Sequence, residues 1–262
     1  MNPQISVIMG IYNCASTLQE ALDSLYAQTI QDFKIILCDD GSTDNTYQVA
    51  KTYAENKNNI VLIRNEKNLK LAATLNHCLQ YVDTEYVARM DGDDISLPTR
   101  FEKELDFLET HPEYALVSCP MMHFDQNGVW KIGKAKEKPS KNDFSYGVPF
   151  CHAPVMIRTT VLKAVGGYTA EPWCERAEDY YLWFKIYNKG FIGYNLSEPL
   201  YMMRDDKNAI SRRKVRDRIR TYLLGVKVKK ELGAPKPYTS GIKGLLKIFI
   251  PGKLILLIRR LR

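Results

Sequence analysis

Short apolar runs and amphipathic patterns alternate along the first 118 residues. Between the runs, apolar residues recur three and four positions apart, the spacing that places them on one face of a helix. This alternation with short links predicts right-handed βαβ units and an α/β fold, with a mostly parallel sheet and helices on both faces. The five predicted strands are Ile5–Met9, Phe33–Cys38, Ile60–Ile63, Glu85–Met90 and Tyr114–Ser118.

Polar residues mark where two of the helices are expected to begin. Ser16 and Gln19 have the spacing of a capping box, in which each residue binds the other's backbone N–H, and an apolar face follows. Ser96 comes two positions before Pro98, a residue type that the first turn of a helix tolerates. We therefore expect one helix to begin near residue 16 and another near residue 96.

Polar clusters follow three of the predicted strands at the point where each strand ends. Gly10–Asn13 follows the first strand, Asp39–Ser42 the second and Asp91–Asp94 the fourth. In parallel sheets of this kind, ligands bind beyond the carboxyl ends of the strands. Three independent turns would not explain why the acids gather at one edge, so the sequence predicts a ligand site there.

Three carboxylates surround a glycine in the segment Asp91-Gly92-Asp93-Asp94. Carboxylates held this close repel one another, and a hard divalent cation carrying phosphate would relieve the repulsion. Aspartate and glycine are also ordinary turn residues, so a turn with solvated acids is the alternative. Oxygen ligands suit both Mn²⁺ and Mg²⁺, and the sequence leaves that choice open.

The pattern changes after the fifth predicted strand. Residues 121–130 predict a hairpin around an Asn127-Gly128 turn, and a polar, lysine-rich loop is expected from 131 to 143. A strand-like segment spans Phe150–Arg158, and a helix is predicted over Glu175–Ile186. These elements predict a small antiparallel section beside the main sheet.

An acid shares the apolar face of that last helix. Leu182, Trp183 and Ile186 come three, four and seven positions after Asp179, so all four side chains point the same way. An acid in the first turn complements the helix dipole, which is one explanation of Asp179. The other is a carboxylate aimed inward beside an aromatic wall, which would suit proton abstraction from a hydroxyl. This segment alone leaves both open.

The charge is divided unevenly along the chain. Residues 207–262 carry 17 Lys or Arg and 2 Asp or Glu, a net charge of +15, whereas the first 206 residues carry 20 and 28, a net charge of −8. The basic tail favours a polyanionic surface as its partner. Six cysteines without paired spacing predict free thiols in a reducing cytosol, and no secretion signal is recognisable at the N-terminus.

The basic tail contains two apolar segments. One is a stripe of Val215, Ile219, Tyr222, Leu223 and Val226; the other, residues 242–262, is too interrupted for a membrane span of roughly 20 apolar residues. Interfacial helices on anionic lipid are the favoured interpretation, and packing on the body of the protein or on a partner subunit is the alternative. Nucleic acid is disfavoured because no recognised binding module accompanies the charge.

In their order along the chain, these motifs resemble those of the family 2 glycosyltransferases of the GT-A fold, enzymes of bacterial polysaccharide assembly. The resemblance covers roughly residues 3–205. It implies a Rossmann-like nucleotide-binding half over residues 1–118 and an acceptor half over 119–206. The basic tail over 207–262 lies outside the resemblance and is predicted from its charge. The matching segments are Ile5–Asn13, Ser24–Thr29, Ile36–Asp44, Tyr86–Asp94, Val165–Tyr168 and Glu178–Trp183.

The resemblance also implies which residues bind the donor, expected to be a UDP-sugar. Asp40 would meet the uracil ring, while Asp91 with Asp93 or Asp94 would hold the ribose and a Mn²⁺ or Mg²⁺ ion. The other nucleotide-binding residues would be Ile11, Tyr12, Asn13, Arg89 and Gly92.

For the reaction, the resemblance implies a single displacement with inversion at the anomeric carbon. Asp179 would be the catalytic base that takes the proton from the acceptor hydroxyl, with Glu178 beside it. The expected acceptor is a saccharide or a polyprenyl-linked saccharide in cell-surface polysaccharide biosynthesis. The expected location is the cytoplasm, with peripheral attachment to the inner face of the plasma membrane through the tail.

Two positions depart from the family pattern. Gly10 stands where a proline is common, which should not disturb binding. Many relatives carry a histidine near Arg204 that approaches the metal, and its absence here leaves the first carboxylates or Asp205 as ligands. His123 and His152 are lesser catalytic candidates, because a lone histidine in an apolar strand more often serves packing.

Two other functions would use similar parts. A nucleotidyltransferase can share the sheet and the metal carboxylates, but it usually needs a glycine-rich, basic phosphate loop, and Gly10–Asn13 has neither the glycines nor the base. A membrane-bound scaffold could keep a nucleotide pocket without turnover. Measuring nucleotide release from UDP-sugars would separate both from glycosyl transfer.

Overall fold

Two β-sheets and seven α-helices make up this computed structural model, which describes residues 4–55, 57–205, 215–240 and 242. The strands are β1 Ile5–Ile11, β2 Phe33–Asp39, β3 Ile60–Arg64, β4 Tyr86–Arg89, β5 Ile95–Ser96, β6 Tyr114–Ser118, β7 Met121–Asp125, β8 Gly128–Ile132, β9 Met156–Arg158, β10 Ile192–Asn195 and β11 Tyr201–Arg204. The helices are α1 Leu18–Tyr26, α2 Thr46–Glu55, α3 Leu71–Leu79, α4 Arg100–Thr110, α5 Thr159–Ala164, α6 Glu178–Asn188 and α7 Val215–Leu232, with a 3-10 helix over Lys141–Ser145.

The larger sheet has seven strands in the order β10-β6-β9-β4-β1-β2-β3. The five strands predicted from the sequence are confirmed as β1 to β4 and β6, and β1 pairs in parallel with both β2 and β4. β9 is antiparallel and separates β4 from β6, so the sheet is mixed but mostly parallel. The strand expected over residues 150–158 shortens to Met156–Arg158, because Pro154 has no N–H for a ladder.

Helices cover both faces of this sheet, as predicted. On one face, α1, α2 and α4 pack over Val7, Met9 and Leu37. On the other face, α3, α5 and α6 pack over Ile8 and Ile36. Successive side chains of a strand point to opposite faces, so β1 contributes to both cores and is apolar almost throughout.

The smaller sheet has four strands in the order β5-β11-β7-β8. β7 and β8 form the predicted hairpin, with Gly128 at a φ of +104° in the turn. β11 runs parallel to β7 and antiparallel to β5, so the section expected to be antiparallel is mixed. β11 follows α6 and β10 in the chain and is not joined to β7 by a tight turn. Its direction beside β7 is therefore not fixed by the geometry of a hairpin.

Two element boundaries differ from the sequence prediction. Ser96 belongs to β5, where it pairs with Tyr201, so α4 begins four residues later, at Arg100. The loop expected over residues 131–143 is shorter, because β8 continues to Ile132 and the 3-10 helix begins before the predicted end.

The first apolar segment of the basic tail forms α7, which packs on α6 and on the 3-10 helix. Its inward residues are Leu224, Val228 and Leu232, which enter the core shared with α6. The stripe predicted from the sequence is a different set of residues. No helix in the described part of the chain combines the length and apolarity needed to cross a bilayer. The second segment lies outside the described residues apart from Ile242, and the division at residue 207 stays a prediction.

Candidate active site

The loops that follow β1, β2 and β4 meet at one edge of the sheet, as the sequence predicts. The Asn13 N–H donates to the Ser42 hydroxyl at 3.0 Å, and the Thr43 N–H donates to Asn13 Oδ1 at 2.9 Å. The Thr17 hydroxyl donates to the Gly92 carbonyl at 3.0 Å. These bonds join all three loops into one surface.

The Thr17 contact also explains why the expected capping box is not formed. Thr17, rather than Ser16, precedes the first helical residue, and its side chain makes no cap bond. Its hydroxyl instead donates to the Gly92 carbonyl in the segment Asp91–Asp94, which we call the acid loop. The prediction of a capping box at Ser16 is therefore wrong, although the helix begins within two residues of the expected position.

The residues expected to line the nucleotide pocket after β1 differ in exposure. Ile11 is buried, and its carbonyl accepts a bond from the Asp40 N–H at 2.8 Å. Tyr12 and Asn13 are exposed at the sheet edge. Tyr12 thus offers a ring to a ligand, whereas Ile11 fixes the position of the neighbouring loop.

Gly92 allows the acid loop to approach β1 closely. A Cβ at this position would lie 2.8 Å from Cys14 Sγ and 3.0 Å from Ile11 Cγ2. Packing this tight leaves no space for a larger residue. Gly92 therefore has a packing role here, and its expected contact with the nucleotide stays a prediction.

Asp40 is buried and holds the segment that leads into α3. Its Oδ1 accepts bonds from Asn65 Nδ2 at 2.9 Å and from the Leu69 N–H at 2.8 Å, and its Oδ2 accepts one from the Lys70 N–H at 3.0 Å. A carboxylate has about four lone-pair positions. One position thus remains for a ring N–H of a base.

The three acids after β4 differ in their surroundings. Asp91 is partly exposed and pairs with Arg89, whereas Asp94 is 2% exposed and accepts a bond from the Arg204 N–H at 2.8 Å. Burial, followed by the charge of Asp91, raises the pKa of Asp93. Burial and both neighbouring acids raise the pKa of Asp94 to about 8. Asp91 and Asp93 are thus the acids open to a ligand, and Asp94 anchors the loop.

The acid loop fits a cation that brings further oxygen ligands with it. The described residues contain no cluster of three or more His, Cys, Asp or Glu side chains arranged for a metal. Asp205, the alternative ligand considered from the sequence, therefore belongs to no such cluster. Burial is the main cause of the raised pKa values of Asp93 and Asp94, and the charges of neighbouring acids add to it. A divalent cation would relieve the repulsion among these acids. Mg²⁺ in particular is commonly held by one or two carboxylates and substrate phosphates.

Two residues of β11 hold the acid loop and were missed by sequence reasoning. The buried Tyr201 hydroxyl accepts a bond from the Asp91 N–H at 3.1 Å, and Arg204 Nε donates to the Asp93 carbonyl at 2.8 Å. Tyr201 and Asp91 are 110 positions apart, so no local pattern indicates the contact. Arg204 thus supports the acid loop from β11.

Arg89 is the buried cation of the site. Its side chain is 4% exposed and forms an ion pair with Asp91. Burial acts to lower the pKa of Arg89, but the charge of Asp91 and other acidic groups outweighs burial and raises it. The charge of Arg89 also acts on Glu178 and His152. Arg89 is therefore paired with the acid loop and within electrostatic range of Glu178 at the start of α6.

Glu178 and Asp179 form the first turn of α6. Asp179 Oδ1 accepts a bond from the Tyr180 N–H at 2.7 Å. Burial, followed by the charge of Asp179, raises the pKa of Glu178, and Arg89 opposes this shift. The apolar face predicted for this helix is confirmed, since Leu182 and its neighbours are buried. The helix begins three residues later than predicted.

The Tyr168 phenol is influenced by two sets of carboxylates, through Asp91 of the acid loop and through Glu178 and Asp179 of α6. Burial raises the pKa of its phenol; Arg89 partly offsets this, and the charges of Asp179, Asp91 and Glu178 raise it further. Coulombic interactions weaken with distance, so the phenol lies near both sets. The structure thus brings the acid loop and the start of α6 together, although they are far apart in the sequence.

His152 is the hydrogen-bond partner of Tyr168. Its Nε2 lies 2.9 Å from the Tyr168 hydroxyl, and its ring lies edge-on to that of Trp183, with 5.9 Å between centroids. Burial and the charge of Arg89 lower the pKa of His152 well below its usual value. The imidazole is therefore neutral near pH 7, as expected of a histidine whose ring packs against Trp183. His123 packs against Trp130 in the smaller sheet.

The Gly166-Gly167 turn holds Tyr168 against α3. Asn76 Nδ2 donates to the Tyr168 carbonyl at 2.8 Å, and the Tyr168 N–H donates to Asn76 Oδ1 at 2.8 Å. Gly167 has a φ of +61°, and a Cβ there would lie 2.6 Å from Asn76 Oδ1. Gly166 has a φ of +70° with open space around it.

We expect Gly167→Ala to destabilise the protein more than Gly166→Ala. Both variants place an alanine in the left-handed region, at a cost of about 1–2 kcal/mol. Gly167→Ala also disturbs the bonds between Asn76 and Tyr168, which adds about 1–3 kcal/mol. Urea unfolding of the two variants measures the difference, and equal midpoints would show that the Asn76 contact does not constrain the turn.

Comparison with known proteins identifies the family of the chain. The sequence profile of glycosyl transferase family 2 matches residues 6–166. The putative glycosyltransferase EpsE of Bacillus subtilis is 41% identical over 95% of this chain and 90% of its own length. The UDP-Gal:alpha-D-GlcNAc-diphosphoundecaprenol beta-1,3-galactosyltransferase of Escherichia coli is 34% identical over 80% of this chain and 78% of its own length.

The fold is also found in solved structures. S. aureus TarS 1-349 in complex with UDP matches 94% of this chain and 70% of that chain with a TM-score of 0.69, at 22% identity. This match confirms the α/β GT-A fold expected from the motifs. With the family profile covering more than half of the chain and the motif residues assembled at one sheet edge, the chain belongs to glycosyl transferase family 2 and is a glycosyltransferase.

Proposed function

We propose that the protein transfers a sugar from a UDP-sugar to a saccharide or lipid-linked saccharide during cell-surface polysaccharide biosynthesis. The observation behind this proposal is the convergence of the acid loop with the first turn of α6 around Arg89 and Tyr168. The diphosphate of a nucleotide-sugar binds a metal ion that assists its departure, and the acid loop offers carboxylates for that ion. The acceptor hydroxyl needs a base, and the first turn of α6 offers Glu178 and Asp179. The similar structure of S. aureus TarS 1-349 was solved in complex with UDP, and the E. coli relative is named for a diphosphoundecaprenol-linked acceptor.

On the donor side, we assign the uracil to Asp40 and the ribose to Asp91. The free acceptor position on the buried Asp40 would take the N–H of the uracil ring. Tyr12 and Asn13 are exposed beside it and would border the base. Arg89 is paired with Asp91 and would keep that carboxylate oriented toward the ribose hydroxyls.

We assign the divalent cation, Mn²⁺ or Mg²⁺, to Asp93 with support from Asp91. Asp94 has its carboxylate buried and used by the Arg204 N–H, so it would act by anchoring the loop. When bound, the ion offsets the negative charge that develops on the departing diphosphate. Arg89, whose own side chain is buried, adds a fixed positive charge close to the same acids.

We assign the catalytic base to Asp179. Its bond from the Tyr180 N–H fixes the orientation of the side chain, and it would accept the proton as the acceptor hydroxyl attacks the anomeric carbon. Glu178 has a raised pKa and would contribute to acceptor binding rather than deprotonation. A single displacement of this kind inverts the anomeric configuration.

We place the protein in the cytoplasm, attached peripherally to the inner face of the plasma membrane through its basic tail. All six cysteines are free thiols, in keeping with a reducing compartment. A diphosphate-linked lipid acceptor would lie in the membrane plane, so attachment would bring the enzyme to its substrate. Family membership favours glycosyl transfer over a nucleotidyltransferase or an inactive scaffold.

A donor screen tests this function. UDP-glucose, UDP-galactose and UDP-GlcNAc are incubated with the full chain and a GlcNAc-diphospholipid acceptor, with Mn²⁺ or with EDTA, and released UDP is measured. We expect one donor to release UDP in Mn²⁺ and the rate to fall by at least about tenfold in EDTA, since the ion supplies several kcal/mol of charge stabilisation. Equal UDP release in EDTA would contradict the metal assignment, and release of UMP or pyrophosphate would contradict glycosyl transfer.

A further inference from the structure

α7 has two apolar faces, and among the residues that the structure describes, contacts cover one of them. Leu224 and Val228 are buried against α6, whereas Ile219 is 44% exposed and Leu223 is 60% exposed on the opposite side of the helix. The outer stripe consists of Val215, Ile219 and Leu223, which recur every four residues and so lie in one row along α7.

The outer stripe adjoins the loop that leads into the catalytic helix. Arg220 of α7 donates to the Pro172 carbonyl and forms an ion pair with Glu175 at 3.6 Å. The Trp173 ring between them is 41% exposed, and Lys227 Nζ lies 5.5 Å from its centre. Trp173 and the outer stripe are thus parts of one surface, fixed by contacts between α7 and residues 172–175.

We propose that the outer stripe and Trp173 form a docking face for an anionic lipid bilayer. The surface has the composition of an interfacial site: aliphatic side chains, an exposed tryptophan and flanking basic residues that include Arg216, Lys227 and Lys230. The residues from 207 onward carry a net charge of +15, which anionic headgroups would neutralise. Two copies meeting through this face would instead bring like charges together.

This proposal rests on the proposed function and extends it to the acceptor. The loop that contains Trp173 ends at Glu178 and Asp179, so docking through Trp173 places the start of α6 close to the headgroup layer. A lipid-linked acceptor carries its diphosphate and first sugars in that layer. Docking would therefore raise the rate of transfer to an acceptor embedded in the bilayer without changing the chemistry at the donor.

Vesicle binding tests the docking face. The full chain is sedimented with vesicles of equal parts phosphatidylglycerol and phosphatidylcholine, and with vesicles of phosphatidylcholine alone. We expect binding to the anionic vesicles that weakens with added salt. Ile219→Glu with Leu223→Glu should weaken this binding by at least about tenfold, because apolar area is lost and negative charge is added. Trp173→Ser should also weaken it.

A matched control carries the same change on another exposed surface. Val129→Glu with Ile132→Glu alters two exposed aliphatic residues of the hairpin strand β8 and should leave vesicle binding unchanged. The inference is overturned if both pairs of variants bind anionic vesicles as the parent does, or if the outer-stripe pair converts a dimer to a monomer in light scattering. Thermal melting shows that each variant is folded.

An activity measurement separates this inference from the proposed function. Sugar transfer to an acceptor embedded in anionic vesicles should fall with the outer-stripe variants, while transfer to a water-soluble saccharide acceptor and UDP affinity stay unchanged. Loss of both activities would assign α7 to the catalytic structure instead of to docking. Absence of any transfer by the parent would count against the proposed function, and the vesicle-binding result would still decide the docking face.

Discussion

Replacing Asp179 by Asn is expected to abolish sugar transfer while UDP binding persists. Asparagine keeps the side-chain oxygen that accepts the Tyr180 N–H, so the start of α6 should keep its geometry. It cannot take a proton from the acceptor hydroxyl, and loss of a general base lowers the rate by about 10²–10⁴-fold. Initial rates of UDP-sugar turnover and calorimetric titration with UDP measure the two quantities.

Two neighbouring acids serve as controls for Asp179→Asn. Glu175→Gln removes a carboxylate from the same region, where it pairs with Arg220 at the surface, and should leave turnover within about twofold. Glu178→Gln should raise the acceptor KM more than it lowers kcat, since we assign it to binding. Undiminished turnover in Asp179→Asn would refute the base assignment.

Replacing Asp93 by Ala is expected to remove the metal-dependent part of UDP binding. Asp93 is the acid that we assign to the cation, and losing it should weaken UDP binding in Mn²⁺ by at least about tenfold, or 1.4 kcal/mol. UDP binding in EDTA should stay the same. The melting temperature should not fall, because removing Asp93 also relieves repulsion with its neighbouring acids.

Asp94→Ala provides the matched comparison for Asp93→Ala. Asp94 is buried and accepts the Arg204 N–H, so its loss leaves a backbone donor unpaired, at a cost of about 1–3 kcal/mol. For a protein of this size, each kcal/mol lowers the melting temperature by about 2–4 °C. If Asp93→Ala were the destabilised variant and Asp94→Ala the one that lost metal dependence, the two assignments would have to be exchanged.

The strands that position the site could be predicted from the sequence. β1 to β4 are short apolar runs followed by polar clusters, and the parallel arrangement makes their carboxyl ends neighbours. That rule predicted the meeting of Asn13, Ser42 and the acid loop before any contact was known. The prediction succeeded because periodicity and chain order determine this half of the fold.

Other features depend on contacts that no local pattern encodes. β9 enters the main sheet as an antiparallel strand between β4 and β6, and three residues are too few for a clear period. Tyr201 and Arg204 support the acid loop from more than a hundred positions away. The sequence showed that no histidine stands near Arg204, but it did not reveal that Arg204 itself binds the loop.

α7 illustrates the limit of amphipathic patterns. The stripe predicted from the sequence is present on the helix, yet the core contact is made by the opposite face, through Leu224, Val228 and Leu232. A helix with two apolar faces gives a weak periodic signal, so the buried face was not predicted. The structure adds the observation that distinguishes the faces, which is what each of them contacts.

The stereochemistry of the intact product tests the central claim most directly. The full chain is incubated with Mn²⁺, the donor selected by the screen and a GlcNAc-diphospholipid acceptor, and the product is analysed by mass spectrometry and NMR. We expect an acceptor heavier by one sugar residue, an inverted anomeric configuration and one UDP released per linkage formed. A retained configuration, or an acceptor that carries a nucleotidyl group, would contradict it.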